Sequence, residues 1–233
     1  MAGRGTAHVG ILAPMEPELA PVVRMLGLER DGETYRGRVD DLAVVAVRTD
    51  IGMANAAAAS KRVLDLGVDH VMVVGIAGGL HPDIAIGDVF TPEVVVHRAE
   101  GREHRPSFAG DLTPFGTLSC GDDFIVDPEV LAAMGDGGVV AVDMETAAVA
   151  AVCDDAGCAW SVFRAISDRP AEGLIDAALF AMTKPDGTAD HDAVSRYLAE
   201  DPARLEALTR LAEDTNRATE AAAAAALRAC RLL

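Results

Sequence analysis

Short unbroken apolar runs alternate along this chain with stretches whose apolar residues recur at helical spacing, and the alternation predicts its elements. His8 to Pro14 (HVGILAP) reads as a first buried strand. A helix opens at Met15-Glu16-Pro17-Glu18, where proline suits the first turn and two acids complement the helix dipole. Pro21 removes a backbone donor one turn later, which predicts an irregular opening before Arg24 to Leu28 completes the helix. Thr34–Val39 and Leu42–Thr49 predict a hairpin through Asp40-Asp41, the second strand apolar on both faces and therefore central. Asp50-Ile51-Gly52 is a tight connection to an alanine-rich helix, Met53 to Leu66, closed by Gly67.

The second half repeats the rhythm. His70 to Gly75 is a buried strand that runs into Gly75-Ile76-Ala77-Gly78-Gly79. Those glycines make either a backbone that a ligand can approach closely or a sharp turn between strands. Val89 to His97 predicts a strand with Pro92 near its start, and the polar Arg98 to Pro114 segment a loop over the sheet. Gly116 to Cys120 returns as a strand, and Asp127-Pro128-Glu129 opens a short helix. The apolar run from Val139 ends on Asp143-Met144-Glu145 and passes at once into a small-residue helix ending at Gly157. Trp160 to Ile166 is the last central strand and delivers Arg164, Ser167 and Asp168 before Pro170. Beyond it lie Leu174 to Met182, a Pro185-Asp186-Gly187 turn, a helix around Asp192 to Leu198, and a long terminal helix from Pro202. On that helix Leu205, Leu208, Leu211, Ala212, Thr215, Ala218, Ala222 and Ala226 share one face, which predicts that the whole stripe packs on the domain. Strands alternating with helices over residues 1–233 predict one α/β domain, a three-layer α/β/α sandwich with a mixed, mostly parallel central sheet.

Composition narrows the functions this fold could serve. Asp and Glu number 37 against 20 Lys and Arg, a net charge of −17 that repels phosphate backbones and anionic lipid, so neither nucleic acid nor membrane is an expected partner. Cys120, Cys153, Cys158 and Cys230 form no C-x-x-C pair and no zinc spacing, and read as residues of a reduced protein with no metal and no cofactor. Met1 to Thr6 precedes Val9 without an apolar leader, and no run approaches a membrane span, so a cytoplasmic location is expected.

Candidate chemistry gathers after the apolar runs. Glu18 follows the first strand, Asp143 and Glu145 a later one, and Asp168 the last. Open α/β sheets bind ligands at the carboxyl ends of their strands. Each acid also has a plainer reading, as a helix cap or a solvated charge, and Glu145 in particular stands where a helix N-terminus favours negative charge. Their joint placement, with the rare aromatic Phe124 beside a loop, points to a polar ligand with hydroxyls and a flat ring.

Several of these pieces together resemble the nucleoside phosphorylase and nucleosidase superfamily, most closely its 5′-methylthioadenosine/S-adenosylhomocysteine nucleosidases. The resemblance is carried by Gly10 to Glu18 (GILAPMEPE), Gly52-Met53-Ala54-Asn55-Ala56-Ala57, Gly75 to Gly79, Ile86-Gly87-Asp88-Val89, Gly121 to Ile125 (GDDFI), Val142-Asp143-Met144-Glu145 and Arg164 to Asp168 (RAISD), in that order. It implies that Asp168, oriented by Ser167, protonates or hydrogen-bonds the purine N7. It implies that Met144 and Glu145 bind the ribose hydroxyls, that Phe124 stacks on the base, and that the Ile125 backbone reads the base edge. Glu18 is implied as the base that activates water, with Arg164 nearby, while Met15, Ala77 and Gly78 belong to the binding surface. An oxocarbenium-like transition state suits this arrangement of carboxylates. The implied substrate is a purine nucleoside, in particular a 5′-modified adenosine in methionine salvage, and the implied assembly is a homodimer in which a neighbour's loop closes the pocket. Three departures stand out. Ile76 occupies a position where a hydroxyl residue is usual, the Arg98 to Pro114 segment is short and basic, and the tail from about 171 reads as lineage-specific. Phosphorolysis by the same fold is the alternative, with Arg48, Arg102 and Arg105 as its candidate phosphate contacts, and a non-catalytic nucleoside-binding protein is a third.

Overall fold

The computed structural model describes residues 8–170, 181–184 and 186–233. The expectations for Met1 to Thr6, for most of Leu174 to Met182 and for Pro185 lie outside the described residues. In chain order the elements are β1 (His8–Ala13), α1 (Glu16–Leu26), β2 (Glu29–Asp31), β3 (Thr34–Val39), β4 (Leu42–Arg48), α2 (Met53–Leu64) and β5 (His70–Gly79). There follow β6 (Val89–Phe90), β7 (Val94–His97), β8 (Arg102–His104), β9 (Thr117–Cys120), α3 (Pro128–Asp136), β10 (Val139–Asp143), α4 (Thr146–Ala156), β11 (Ala159–Asp168), α5 (His191–Glu200) and α6 (Arg204–Cys230).

The strands form one mixed sheet in the order β2-β3-β4-β1-β5-β10-β9-β7-β8, with β11 against β5 and β6 against β11. Its spine β4, β1, β5 and β11 is parallel, built from the runs richest in valine and isoleucine. One apolar core lies on the face covered by α2 and α4, and a second on the face covered by α1 and α6. That is the three-layer α/β/α arrangement, and among the described residues no helix is long and apolar enough to cross a membrane.

The geometry that makes a site is a gap along β5. On one edge β5 pairs with β11 from His70 to Gly78. On its other edge β1 pairs as far as Val73, and β10 pairs in the opposite direction only at Gly78 and Gly79. Between them the edge from Val74 to Ala77 has no strand partner among the described residues, so its backbone donors must be met by something else. Switch points of this kind are where α/β sheets hold ligands.

Five details depart from the sequence reading. The glycines of Gly75 to Gly79 are not a turn but the last half of β5, extended and paired on both sides at their end. Val89 to His97 is two strands, because Pro92 cannot donate to a ladder and breaks the run between Phe90 and Val94. Arg98 to Pro114 does not simply lie over the sheet: Arg102–His104 pairs with β7 and extends the sheet edge. Its polar sequence hid a strand whose buried His104 is held by Asp154, Nδ1 to Oδ2 at 2.6 Å. Helix α1 runs unbroken through Pro21, which lies buried with Leu19, Val22 and Leu26, so core burial outweighs the one lost donor. Finally, α6 splits into two regimes. From Ala218 onward most of its alanines, Ala218, Ala222, Ala223, Ala225, Ala226 and Ala229, are buried in the second core, whereas Leu205 is exposed and Leu208 and Leu211 are only partly covered.

Candidate active site

Glu18 fills the gap in β5. It sits in the first turn of α1, and both of its oxygens are held by backbone amides: Ile76 N–H donates to Oε1 at 2.8 Å and Met15 N–H to Oε2 at 2.7 Å. The Ile76 amide is one of the donors that the missing strand leaves over. Gly75 makes the approach possible, since a Cβ there would run into the Glu18 carboxylate and stand 2.6 Å from Arg164 Nη1. Glu18 is 1% exposed, yet its carboxyl lines a cavity of about 640 Å³.

Behind Glu18 lies Arg164 from β11, with none of its surface exposed. Its guanidinium reaches three carboxylates: Asp143 Oδ2 at 2.5 Å, Glu145 Oε2 at 3.3 Å and Glu18 Oε1 at 3.4 Å. The apolar run of β10 ends on Asp143, and the turn into α4 presents Glu145, so strand and helix between them aim both acids at the arginine. Glu145 Oε1 also accepts the Gly52 N–H at 3.0 Å, at the start of α2. The neighbouring amide of Met53 goes to Asp122 Oδ1 at 2.8 Å, so two chain segments far apart in sequence are tied at one helix N-terminus.

Three acids share one arginine in a dry place. Burial pushes Glu18 up to about 7, against the pull of Arg164 and of its two amides. Burial and the neighbouring acids likewise push Glu145 well above the usual carboxylate range. Arg164 is driven upward by the carboxylates and stays charged.

In the same cavity β11 ends in Ser167-Asp168. Ile166 pairs with Ala77 and Asp168 with Gly78, so Ser167 is an extra residue, a bulge that re-aims the end of the strand. Ser167 Oγ donates to Asp168 Oδ1 at 2.6 Å, and its oxygen lies 3.5 Å from the Ala77 carbonyl. The 121–125 loop and the 142–145 turn complete the walls.

The structure therefore brings together ten of the eleven residues that the sequence singled out: Glu18, Glu145, Ser167 and Asp168 along the floor, Met15, Ala77 and Gly78 beside them, and Phe124, Ile125 and Met144 on the adjoining loops. Arg164 does not line the cavity; it acts from behind, on the acids that do. Arg48, Arg102 and Arg105 are not at the cavity either and pair with acids elsewhere: Arg48 with Glu16 and Asp50, Arg102 with Asp155, Arg105 with Glu103. Among the described residues no cluster of His, Cys, Asp or Glu is arranged to hold a metal ion.

Two contributors were passed over in the sequence. Arg98 lines the cavity, its guanidinium packed over Gly121 and donating to the Asp123 carbonyl at 2.8 Å. The far wall comes from the tail, where Met182, Val194, Leu208, Leu211 and Ala212 present an apolar surface. A size change along the α6 stripe was the available signal: leucines precede Thr215 and alanines follow it. Alanine permits close packing on a sheet, and leucine does not need it.

The family model described as "Phosphorylase superfamily" matches residues 8–115 and 107–229. Among proteins of known name, the 5′-methylthioadenosine/S-adenosylhomocysteine nucleosidase of Tolumonas auensis is 30% identical over 196 residues, 69% of this chain and 85% of that protein. Futalosine hydrolase of Helicobacter pylori superposes with a TM-score of 0.72 at 19% identity, over 98% of this chain and 99% of that one. The nucleosidase of Neisseria meningitidis solved with methylthio-immucillin-A gives a TM-score of 0.71 at 21% identity, over 97% and 99%. Matched by that family model over most of its length, the chain belongs to the phosphorylase superfamily.

Proposed function

We propose that this protein hydrolyses the N-glycosidic bond of a purine nucleoside, a 5′-modified adenosine such as 5′-methylthioadenosine or S-adenosylhomocysteine. The observation that carries this reading is Glu18: a buried carboxyl held by two amides, raised to about 7, opening into the same cavity as the Ser167–Asp168 pair. A group with that proton affinity is suited to take a proton from water near neutral pH. Asp168, supported by Ser167, donates to N7 of the purine and makes the base a better leaving group. Glu145 and Met144 hold the ribose, and Phe124 stacks on the base with the Ile125 backbone at its edge. As C1′ gains positive charge, the acids of the floor stabilise it. Arg164 holds Glu18 and Glu145 in place from behind, and Met15, Ala77 and Gly78 shape the surface on which the sugar lies.

Water is favoured over phosphate by the charge of the cavity. Among the described residues its lining carries Glu18, Asp123, Asp143, Glu145 and Asp168 against the single cation Arg98, and Ile76 offers no hydroxyl. Such a lining opposes a phosphate dianion. Product analysis with 5′-methylthioadenosine, S-adenosylhomocysteine, inosine and futalosine, each with and without phosphate, tests the reading. Free purine and reducing sugar at a rate independent of phosphate are expected from a 5′-thio adenosine. Phosphate-dependent ribose 1-phosphate installs the phosphorylase instead, and binding without turnover the non-catalytic reading. In Glu18→Gln, hydrolysis falls while purine binding survives, and added phosphate does not restore turnover.

The same reading places the protein in methionine salvage in the cytoplasm, as a homodimer whose partner closes the pocket. Phe108 and Phe115, 61% and 43% exposed on the segment after Arg98, supply apolar surface for that contact. Light scattering that returns the mass of one chain refutes the dimer.

A further inference from the structure

We propose that Asp143 is a positioning residue: braced by Thr146, it draws the Arg164 guanidinium onto itself and so holds that charge off Glu18, which keeps Glu18 basic enough to take a proton from water. The inference rests on the reading of Glu18 as the base and adds what sets its strength.

The guanidinium is shared unequally. Its Nη2 is 2.5 Å from Asp143 Oδ2, whereas the nearest contacts to Glu145 and Glu18 are 3.3 and 3.4 Å. Asp143 cannot follow the arginine toward Glu18, because it is anchored on three sides. Its Oδ1 accepts the amides of Glu145 and Thr146 at 3.4 and 3.3 Å, the first donors of α4. Its Oδ2 accepts the Thr146 hydroxyl, and that same hydroxyl oxygen accepts from Arg164 Nη2 at 3.2 Å. Asp143 and Thr146 thus form one corner that caps a helix and fixes an arginine at once.

The groups facing Glu18 are few. Arg164 comes from β11, Asp143 from the end of β10 and Glu145 from the turn after it, while Met15 and Ile76 offer amides. Cys120 from β9 stands beside Asp143 and Arg164, with its thiol held neutral by burial. Removing the charge at 143 frees Arg164 for Glu18 and also removes a like charge near it. Both changes favour the ionised form of Glu18, so both make it a weaker base.

The test uses the whole protein and two readouts. In Asp143→Asn, the acid limb of the kcat/KM profile is expected to move to lower pH by about one unit. The plateau rate is expected to fall about threefold to tenfold, as proton transfer to a weaker base does. Titration of the Glu18 carboxyl by ¹³C NMR, without substrate, is expected to move in the same direction. Asp143→Glu, which restores the charge, returns both readouts toward the parent values. If Asp143→Asn does not fold, Thr146→Val carries the test, since it removes one acceptor from the corner that holds Arg164 and is expected to shift Glu18 the same way by less. A Glu18 titration that stays still or rises in these variants overturns the proposal. If Glu18 shifts as expected in the NMR titration and the rate profile does not follow it, the tie to Asp143 stands and the assignment of Glu18 as base is what fails.

Discussion

The floor and the far wall of the cavity are built on opposite principles. The floor is charged and buried: Glu18 and Glu145 are held by backbone amides and by Arg164, and Asp168 by the Ser167 hydroxyl. The wall is apolar, assembled from the buried Met182 and from Val194, Leu208 and Leu211, which are only partly covered. Packing of charged groups in a dry site is stable only when each is paired, so the floor tolerates no loosening. An apolar wall has no such constraint, because burial is non-directional and side chains there can change size at modest cost. On the proposed function, that difference gives chemistry to the floor and substrate preference to the wall.

The sharpest way to break this division is at Asp168. Asp168→Asn is expected to lower kcat and kcat/KM together by about 10²- to 10⁴-fold, with binding of a purine product nearly unchanged. Steady-state kinetics beside calorimetric titration of adenine measure both. A variant that loses binding and keeps kcat would move Asp168 from chemistry to recognition.

The next effect is on stability. Arg164→Met leaves Glu18, Asp143 and Glu145 buried without their common cation, and about 3–5 kcal/mol of unfolding free energy is expected to be lost. Urea unfolding at pH 7.5 reads it, and a loss below about 1 kcal/mol, the size of an exposed pair, would mean that the floor is wetter than its burial indicates.

Smaller, and informative in sign, is the response to pH. Glu18 is raised in the folded state, from 4.5 to about 7, so between those values the folded protein binds more protons than the unfolded chain. Stability therefore falls as pH rises through this window, by a contribution on the order of a few kcal/mol. Activity, which needs the ionised base, rises through the same window. The two curves are expected to cross, and Glu18→Gln is expected to flatten the stability curve relative to the parent. If stability and activity instead rise together, Glu18 is ordinary in its proton affinity.

The smallest effects belong to the wall. Leu208→Ala and Leu211→Ala are expected to raise KM for an apolar 5′-substituted nucleoside by about threefold to tenfold while kcat stays within about twofold, the pattern of lost uniform binding. Adenosine, which has no 5′-thioalkyl group, serves as the control and is expected to be indifferent to both. An equal effect on adenosine would mean that these leucines support the fold and not the substituent.

Much of this molecule was legible before any coordinates. Runs such as HVGILA and VVAVD read as strands, and Gly67 and Gly157 marked helix ends, where the structure gives both a left-handed backbone; Gly27 does the same for α1, which stops short of the expected Leu28. Ten of the eleven residues named from strand ends and from the family resemblance line one cavity, because strand ends and short motifs are local features, written contiguously. What stayed hidden had a different character. The short strand β8 was invisible because its residues are polar and only its edge position makes it a strand. The glycine run of β5 was ambiguous because extension and turn are equally open to glycine, and the partners that decide between them lie more than sixty residues away in the chain. The partition of α6 into a core half and a cavity half depends on where the sheet ends beneath it.

Sequence by itself determined the spine strands and the main helices, and which acids fall after apolar runs, since hydrophobic period and backbone preference act over a few residues. Only the tertiary structure decided that Arg164 stands behind the site and not in it, that Asp143 takes the arginine's closest contact, and that Glu18 replaces a missing strand along β5. Those outcomes depend on desolvation and on the sharing of one charge among three acids, and both are properties of distance in space that no spacing along the chain encodes.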